Sequence, residues 1–262
     1  MDKLTKLSPD EAKRIDGLLF DLDDTVLTGG LLVRAAFEAL WTLHDAGLRL
    51  VAVTGRPSGW GEVIARQWPI DGVITENGAV FCVREGSGVR LIQTCSEDER
   101  RARRVRLAQI VAAAREVVPE ARLADDVGAR ISDVTWDIGE RVKMSVDRVD
   151  LIDRLAREKG ARTTRSSVHL HATFDEDDKA SGAVRFLAER FGVDAGAALA
   201  RYAFVGDSGN DGACFSAFHT TFGVANVKRY ASRLSVTPRY VATAEMGAGF
   251  AEVARTILAA RW

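Results

Sequence analysis

Two apolar rhythms alternate along the start of the chain. Leu18-Leu19-Phe20 and Leu48 to Val53 are continuous apolar runs, the pattern of strands buried on both faces. Between them, after the turn residues Thr28-Gly29-Gly30, Leu32, Ala36, Ala39, Leu40 and Leu43 keep helical spacing up to Gly47, a natural C-terminal stop. Thr54-Gly55-Arg56 ends the second run, Pro57 is placed to be the first residue of another helix, and Gly72 to Thr75 reads as a third strand. Strand and helix in alternation predict right-handed crossovers onto a parallel sheet. The first dozen residues read as a loosely held lead-in.

From about Ala79 to Phe174 the rhythm changes. Ala79 to Val83 and Val89 to Gln93 flank a turn at Arg84-Glu-Gly-Ser-Gly88 and predict a hairpin. A long polar helix follows over about Glu97 to Val118, then a strand over Arg141 to Val146, a helix over about Val149 to Lys159 and a strand over about Val168 to Phe174. Alternation resumes with a helix from Lys179, a strand at Tyr202 to Val205 and a helix from Asp211. Strands at Thr220 to Val224 and Arg239 to Val241 and a last helix over about Gly247 to Ala260 complete the chain. The expected class is α/β, a Rossmann-like parallel-sheet core with helices on both faces. Residues 1–83 and 176–262 form that core, and 84–175 form an inserted α+β module.

Composition narrows the partners. In 262 residues, 36 basic and 37 acidic side chains leave a formal charge of -1, so no global field draws the protein to nucleic acid or an anionic membrane. Charged residues interrupt every long apolar stretch, and Met1-Asp-Lys-Leu-Thr-Lys6 lacks a signal-type apolar run, which predicts a cytoplasmic protein; a monomer or homodimer is expected, although the oligomeric state is not legible in the chain. Cys82, Cys95 and Cys214 form no CxxC pair and read as small buried hydrophobes in a reducing compartment.

The candidate chemistry lies at the ends of the core strands. Asp21 and Asp23 leave the first apolar run at its C-terminal end, the edge where open α/β sheets bind ligands. Two like charges this close become tolerable mainly if a cation sits between them. Asp207, within Gly206-Asp-Ser-Gly-Asn-Asp211, follows the strand at Tyr202 and faces them across the sheet edge. Asp211 could join the cluster or simply cap the next helix. Such carboxylates around one point call for a hard oxygen-loving cation, and Mg²⁺ suits them. Lys179 opens an amphipathic helix, where a cation opposes the macrodipole by typically 0.3 to 1 kcal/mol, offset by Asp175, Glu176, Asp177 and Asp178. That placement suits a bound anion or an anionic nucleophile better than it suits the helix. Thr54 and Gly55, ahead of a helix N-terminus, form a plausible phosphate cradle, while Arg56 serves either a substrate or a surface carboxylate.

DLDDT at Asp21 to Thr25, VTGR at Val53 to Arg56, the helix-opening Lys179 and GDSGND at Gly206 to Asp211 resemble, in order and spacing, the four motifs of the haloacid dehalogenase-like (HAD-like) phosphohydrolases. The insertion between the second and third motifs, with Glu76-Asn77-Gly78-Ala79 before it, resembles the Cof-type sugar-phosphatase subgroup with an α/β cap. The resemblance implies a Mg²⁺-dependent phosphatase for a small phosphorylated metabolite. Asp21 would be the nucleophile that forms an aspartyl-phosphate, Asp23 the acid and base, and Lys179 and Thr54 would steady the phosphoryl group. Asp21, the Asp23 carbonyl, Asp207 and Asp211 would hold the metal, and Thr54, Gly55, Arg56, Asn77 and Asn210 would bind phosphate and substrate. A phosphomutase shares the motifs. A phospho-acceptor signalling domain gathers similar residues, but is about half this length and orders them differently.

Substrate choice is expected to reside in the insert, with Lys143, Arg165, Ser166, Ser167, His169 and His171 as candidate contacts. His169 and His171 share one face of a strand, and solvation is the expected state of that face. The arginine-rich run from Glu99 to Arg106 reads as a solvated helix face. Trp60, Trp68 and Trp262 read as packing residues; Trp136, inside the insert, is the one candidate for a sugar platform.

Overall fold

The computed structural model describes every residue except Ser167, and the backbone alone at Arg233. Ser167, one of the expected insert contacts, therefore lies outside the described residues.

The Leu18-Leu19-Phe20 run forms the middle strand, Gly17–Phe20, of a nine-stranded sheet. Across the sheet the order is Asp2–Lys3, Tyr240–Val241, Thr220–Gly223, Tyr202–Gly206, Gly17–Phe20, Arg49–Val53, Gly72–Thr75, Val80–Glu85 and Gly88–Gln93. The first seven run parallel; Val80–Glu85 pairs antiparallel with Gly72–Thr75, and Gly88–Gln93 antiparallel with Val80–Glu85. Alternate residues of the central strands feed opposite faces. Leu18, Phe20, Leu50, Ala52 and Val205 pack on the side of helices Arg34–Asp45, Ser58–Gln67 and Met246–Arg261. Leu19, Val51, Val53 and Phe204 pack on the side of Lys179–Phe191, Ala195–Arg201 and Gly212–Ala217. Both faces are buried, which is why these strands read as unbroken apolar runs.

Residues between the core halves build a second layer. His169–Thr173 lies between Arg162–Arg165 and Asp133–Asp137 in a three-stranded antiparallel sheet. Leu170, Ala172 and Trp136 point from this sheet into a cluster with Leu107, Ile110 and Ala114 of helix Glu97–Val117 and Val149 and Ile152 of helix Val146–Glu158. Trp136 is thus a packing residue, not a sugar platform.

Several expectations need correction. The lead-in is not loose: Asp2–Lys3 pairs with Tyr240–Val241, and buried Glu11 accepts hydrogen bonds from Thr220 Oγ1 (2.9 Å), Arg239 (2.9 Å) and the Tyr240 hydroxyl (2.8 Å). The hairpin expected to open the insert, including Arg84 and Glu85, is the antiparallel edge of the central sheet. Pro57 is the residue preceding helix Ser58–Gln67 rather than its first. No strand forms over 141–146; the strand lies at Asp133–Asp137 instead. The Asp137 carboxylate accepts the N–H groups of Gly139, Glu140, Arg141 and Val142, which turns the chain into a loop there.

Candidate active site

The parallel strands bring their C-terminal ends to one edge, and the chemistry-bearing residues follow directly. Asp21 comes after Phe20, Thr54 after Val53, Glu76 after Thr75 and Asp207 after Gly206. Lys179 reaches the same point from the start of its helix. Asp178 caps that helix, accepting the N–H groups of Ala180 and Ser181 at 2.9 Å each, so Lys179 is free to turn inward. Asp175 and Asp177 are occupied elsewhere, with Arg100 and Arg103 and with Arg185 respectively.

Lys179 Nζ donates to Asp21 Oδ1 at 2.6 Å and to Asp211 Oδ1 at 2.7 Å, and the lysine is only 1% exposed. Burial alone would drive a lysine toward its neutral form, but Asp21 and Asp211 outweigh it and hold Lys179 protonated well above the ordinary range. Asp211 is committed on both oxygens: Oδ2 accepts the N–H groups of Asp207 (2.9 Å) and Ser208 (3.2 Å). It therefore fastens the loop to the lysine, a role between ligand and cap. Gly206 makes room for this, since a Cβ there would stand 2.4 Å from Asp211 Oδ2.

Asp21, Asp207 and Asp211 each place a carboxylate oxygen within 4.8 Å of the others, all three buried. Burial first, then Asp211 and Asp23, raise the Asp21 carboxyl to about 7 against the pull of Lys179. Burial first, then Asp211, Asp21 and Asp24, raise Asp207 to about 9. Asp207 Oδ2 accepts from Asn226 Nδ2 at 2.8 Å, while among the described residues Oδ1 has only the Thr25 hydroxyl at 3.5 Å. Asn226 also donates to the Asp24 carbonyl at 3.0 Å, bracing the loop that carries Asp23, and it was not among the sequence-derived candidates. Oxygen donors with spare lone pairs and a charge excess suit a small hard cation.

Asp23 lies on the opposite wall. Arg56 forks onto it, Nε at 2.9 Å from Oδ2 and Nη2 at 2.8 Å from Oδ1, and reaches Glu140 of the insert at 3.3 Å. The arginine stacks on Trp60, 4.6 Å from the ring centroid. It thus pairs with half-buried carboxylates at the site itself. Thr54 is fully buried, its Oγ1 accepting the Arg56 N–H at 3.1 Å. Asn210 accepts from Ser208 Oγ at 2.7 Å, and buried Asn77 stands against Gly55.

The insert closes over this edge. Asp21, Asp23, Gly55, Arg56, Asp207, Ser208 and Asn210 from the core and Ser166, Val168, His169 and His171 from the insert enclose a cavity of about 30 Å³, the space of about one water. His169 and His171, expected to be solvated, are 5% and 3% exposed, because their strand face is the roof of this cavity. Lys143 and Arg165 do not line it, and Arg165 pairs with Asp150 at 3.2 Å. The seam is held by Glu76, missed as a functional position although it opens the Glu76-Asn77-Gly78 turn. It takes a left-handed backbone (φ 52°) and accepts from Ser58 N, Ile131 N, Ser132 N, Ser132 Oγ and Asp133 N. A non-glycine residue held there costs of order 1–3 kcal/mol, offset by those hydrogen bonds.

Residues 18–98 match a family model described as haloacid dehalogenase-like hydrolase. The fold is that of the HAD-like hydrolases. Among solved structures, Thermoplasma acidophilum 0175 is similar with a TM-score of 0.72 at 17% identity, over 93% of this chain and 98% of that one. The sucrose-phosphatase of Synechocystis sp. PCC6803, solved with sucrose and phosphate, is similar with a TM-score of 0.63 at 15% identity, over 93% and 98%. BT1666 of Bacteroides thetaiotaomicron, described among phosphatases of the haloalkanoate superfamily, gives 0.63 at 19% identity, over 93% and 95%. No curated protein matches the chain. Among the described residues, no helix is long and apolar enough to cross a membrane.

Proposed function

We propose that this HAD-like chain is a Mg²⁺-dependent phosphatase that hydrolyses a small phosphorylated metabolite, most consistent with a sugar phosphate, through an aspartyl-phosphate on Asp21. The observation that carries this reading is the buried Asp21–Lys179–Asp211 triad beside Asp207, a carboxylate held next to a cation at the sheet edge with an all-oxygen donor set around it. Asp21, the Asp23 carbonyl and Asp207 would hold the metal, with Asp211 orienting the loop; when bound, Mg²⁺ would neutralise charge on the phosphoryl oxygens. The module over the cavity would act as a cap, beginning after Gln93.

Asp21 attacks phosphorus along the line opposite the leaving oxygen. The phosphorus–oxygen bond to the leaving group breaks as Asp23 delivers a proton to that oxygen. A protonated Asp23 cannot accept the Arg56 fork on both oxygens, so the acid form gives up one of those contacts. Ionised again, Asp23 takes a proton from the water that attacks the aspartyl-phosphate, and phosphate and free Asp21 result. Lys179 balances the charge on Asp21 and the transferring group throughout. A cavity of about 30 Å³ holds no sugar phosphate, so substrate entry requires the cap to lift from Arg56 and Gly55.

The test is phosphate release from p-nitrophenyl phosphate and a panel of metabolite monoesters, with Mg²⁺ and with EDTA. Release with Mg²⁺ that EDTA abolishes is expected; no release from any ester overturns the reading. A second expectation concerns stability. Carboxyls whose folded values lie at about 7 and about 9, above the ordinary carboxyl range, favour the metal-free fold while protonated and disfavour it as pH rises through those values. A cation needs them ionised. The melting temperature in EDTA is therefore expected to fall from pH 6 to pH 9, and the gap between Mg²⁺ and EDTA samples to widen. A gap that stays constant over that range would separate these carboxylates from the metal.

A further inference from the structure

His171 stands in the roof of the cavity with its two ring nitrogens in different surroundings. Nδ1 lies 2.9 Å from Asp133 Oδ2 and 2.9 Å from Thr135 Oγ1. Asp133 is itself fixed by Arg130, whose Nη1 donates to both its oxygens (3.1 and 3.2 Å) and to the Gly55 carbonyl (3.0 Å). A carboxylate only accepts, so Nδ1 carries the proton and Nε2 of the neutral ring is an acceptor. Burial pushes His171 below the ordinary imidazole range, with Arg130 and His169 adding to it and Asp133 opposing. Among the described residues no protein group hydrogen-bonds Nε2. It lines the cavity, and a Cβ at Gly55 would stand 3.4 Å from it. The same Cβ would stand 3.2 Å from Asn77 Oδ1, which lies outside the cavity lining.

The charged side chains that line the cavity are mostly acidic, Asp21, Asp23 and Asp207 against Arg56. Glu140, outside the lining, directs Oε2 to His169 (2.8 Å) and Oε1 to Arg56 (3.3 Å). An unpartnered acceptor in the roof, with these carboxylates around the same cavity, suits a ligand that brings hydroxyl protons and disfavours one that brings a second carboxylate.

We propose that His171 is a specificity-determining residue, its Nε2 accepting a hydroxyl proton from the leaving group, so that the site selects phosphorylated polyols and sugars over carboxylated phosphate esters. The assignment rests on the phosphatase reading and adds which residue reads the leaving group and what it reads. Asp133 and Arg130 are positioning residues in it. Gly55 keeps the space in front of Nε2 open, because a Cβ there would stand 3.4 Å from it.

The full-length protein with Mg²⁺ would be assayed on glycerol 1-phosphate, glucose 6-phosphate, 2-phosphoglycolate and p-nitrophenyl phosphate. The better hydroxylated ester is expected to exceed 2-phosphoglycolate in kcat/KM by about tenfold or more. His171→Ala is expected to lose about 10- to 100-fold on that ester, largely through KM, and clearly less on p-nitrophenyl phosphate, which carries no hydroxyl. His171→Gln, which retains an acceptor oxygen, is expected to recover part of the loss. Equal losses on both esters in a variant with a native melting curve would overturn the assignment while leaving the phosphatase reading intact. A wild-type preference for 2-phosphoglycolate would also overturn it, and needs no variant to fold. Release of phosphate from none of the esters would overturn the phosphatase reading and the assignment together.

Discussion

Asp21→Asn is expected to abolish turnover, by roughly 10⁴-fold or more, while the protein still folds. The substitution keeps the shape of the side chain and an oxygen for Lys179, which now lies 2.6 Å from Oδ1. It removes the charge that makes the oxygen a nucleophile, and a neutral amide does not attack phosphorus at a useful rate. The fold should tolerate it, because burial already raises the Asp21 carboxyl to about 7 and the ionised form contributes little net stability there. Lys179 retains Asp211 at 2.7 Å as its partner. The measurement is phosphate release in the presence of Mg²⁺ beside a melting curve. Turnover within tenfold of the wild type would remove Asp21 from the role of nucleophile. Mass spectrometry gives an independent reading: a transient phosphoryl adduct on the wild-type chain is expected to be absent from the variant.

What the sequence reveals of this site follows from how local its causes are. Asp21, Asp23, Thr54 and Asp207 are legible because each follows a continuous apolar run, and parallel strands necessarily bring those ends to one edge. The Lys179 helix is legible from its own periodicity and its preceding acids. What is not legible depends on partners distant in sequence. Glu11 bonds residues more than 200 positions away, so nothing in its neighbourhood marks the lead-in as part of the core. Asn226 sits in an unremarkable turn and becomes informative only once Asp207 and Asp24 are beside it. The two histidines on one strand face look like a solvated pattern because polar alternation is the same whether that face meets water or an active-site roof. Arg84 and Glu85 end a strand in either location, so the hairpin alone does not say which sheet it joins. The misplaced strand has a similar origin: Val142, Met144 and Val146 alternate as convincingly as Val134 and Trp136. The Asp137 carboxylate, taking four successive N–H groups, decides between them.

Lys179→Met is expected to remove activity and to destabilise the metal-free protein, and the second effect distinguishes this lysine from a purely catalytic one. Methionine fills a similar volume without the charge. Asp21, Asp207 and Asp211 are then left buried within 4.8 Å of one another with no cation among them. Losing one partner of such a buried pair costs about 3–5 kcal/mol. At roughly 2–4 °C per kcal/mol for a chain of this size, the melting temperature in EDTA should drop by about 10 °C. The deficit has a definite pH dependence. Carboxyls raised above their ordinary range are tolerated while protonated and become costly as pH rises through their folded values, about 7 for Asp21 and about 9 for Asp207 in the intact site. Without the lysine, which holds Asp21 down, the protonated forms persist to higher pH. The deficit should therefore be small near pH 5, where the carboxyls are largely protonated with or without Lys179, and largest near pH 9. Saturating Mg²⁺ should restore part of it by supplying the missing positive charge, without restoring turnover. A variant as stable as the wild type at pH 9 in EDTA would show that the three carboxylates do not rely on Lys179, and the triad would lose its place as the organising element of the site.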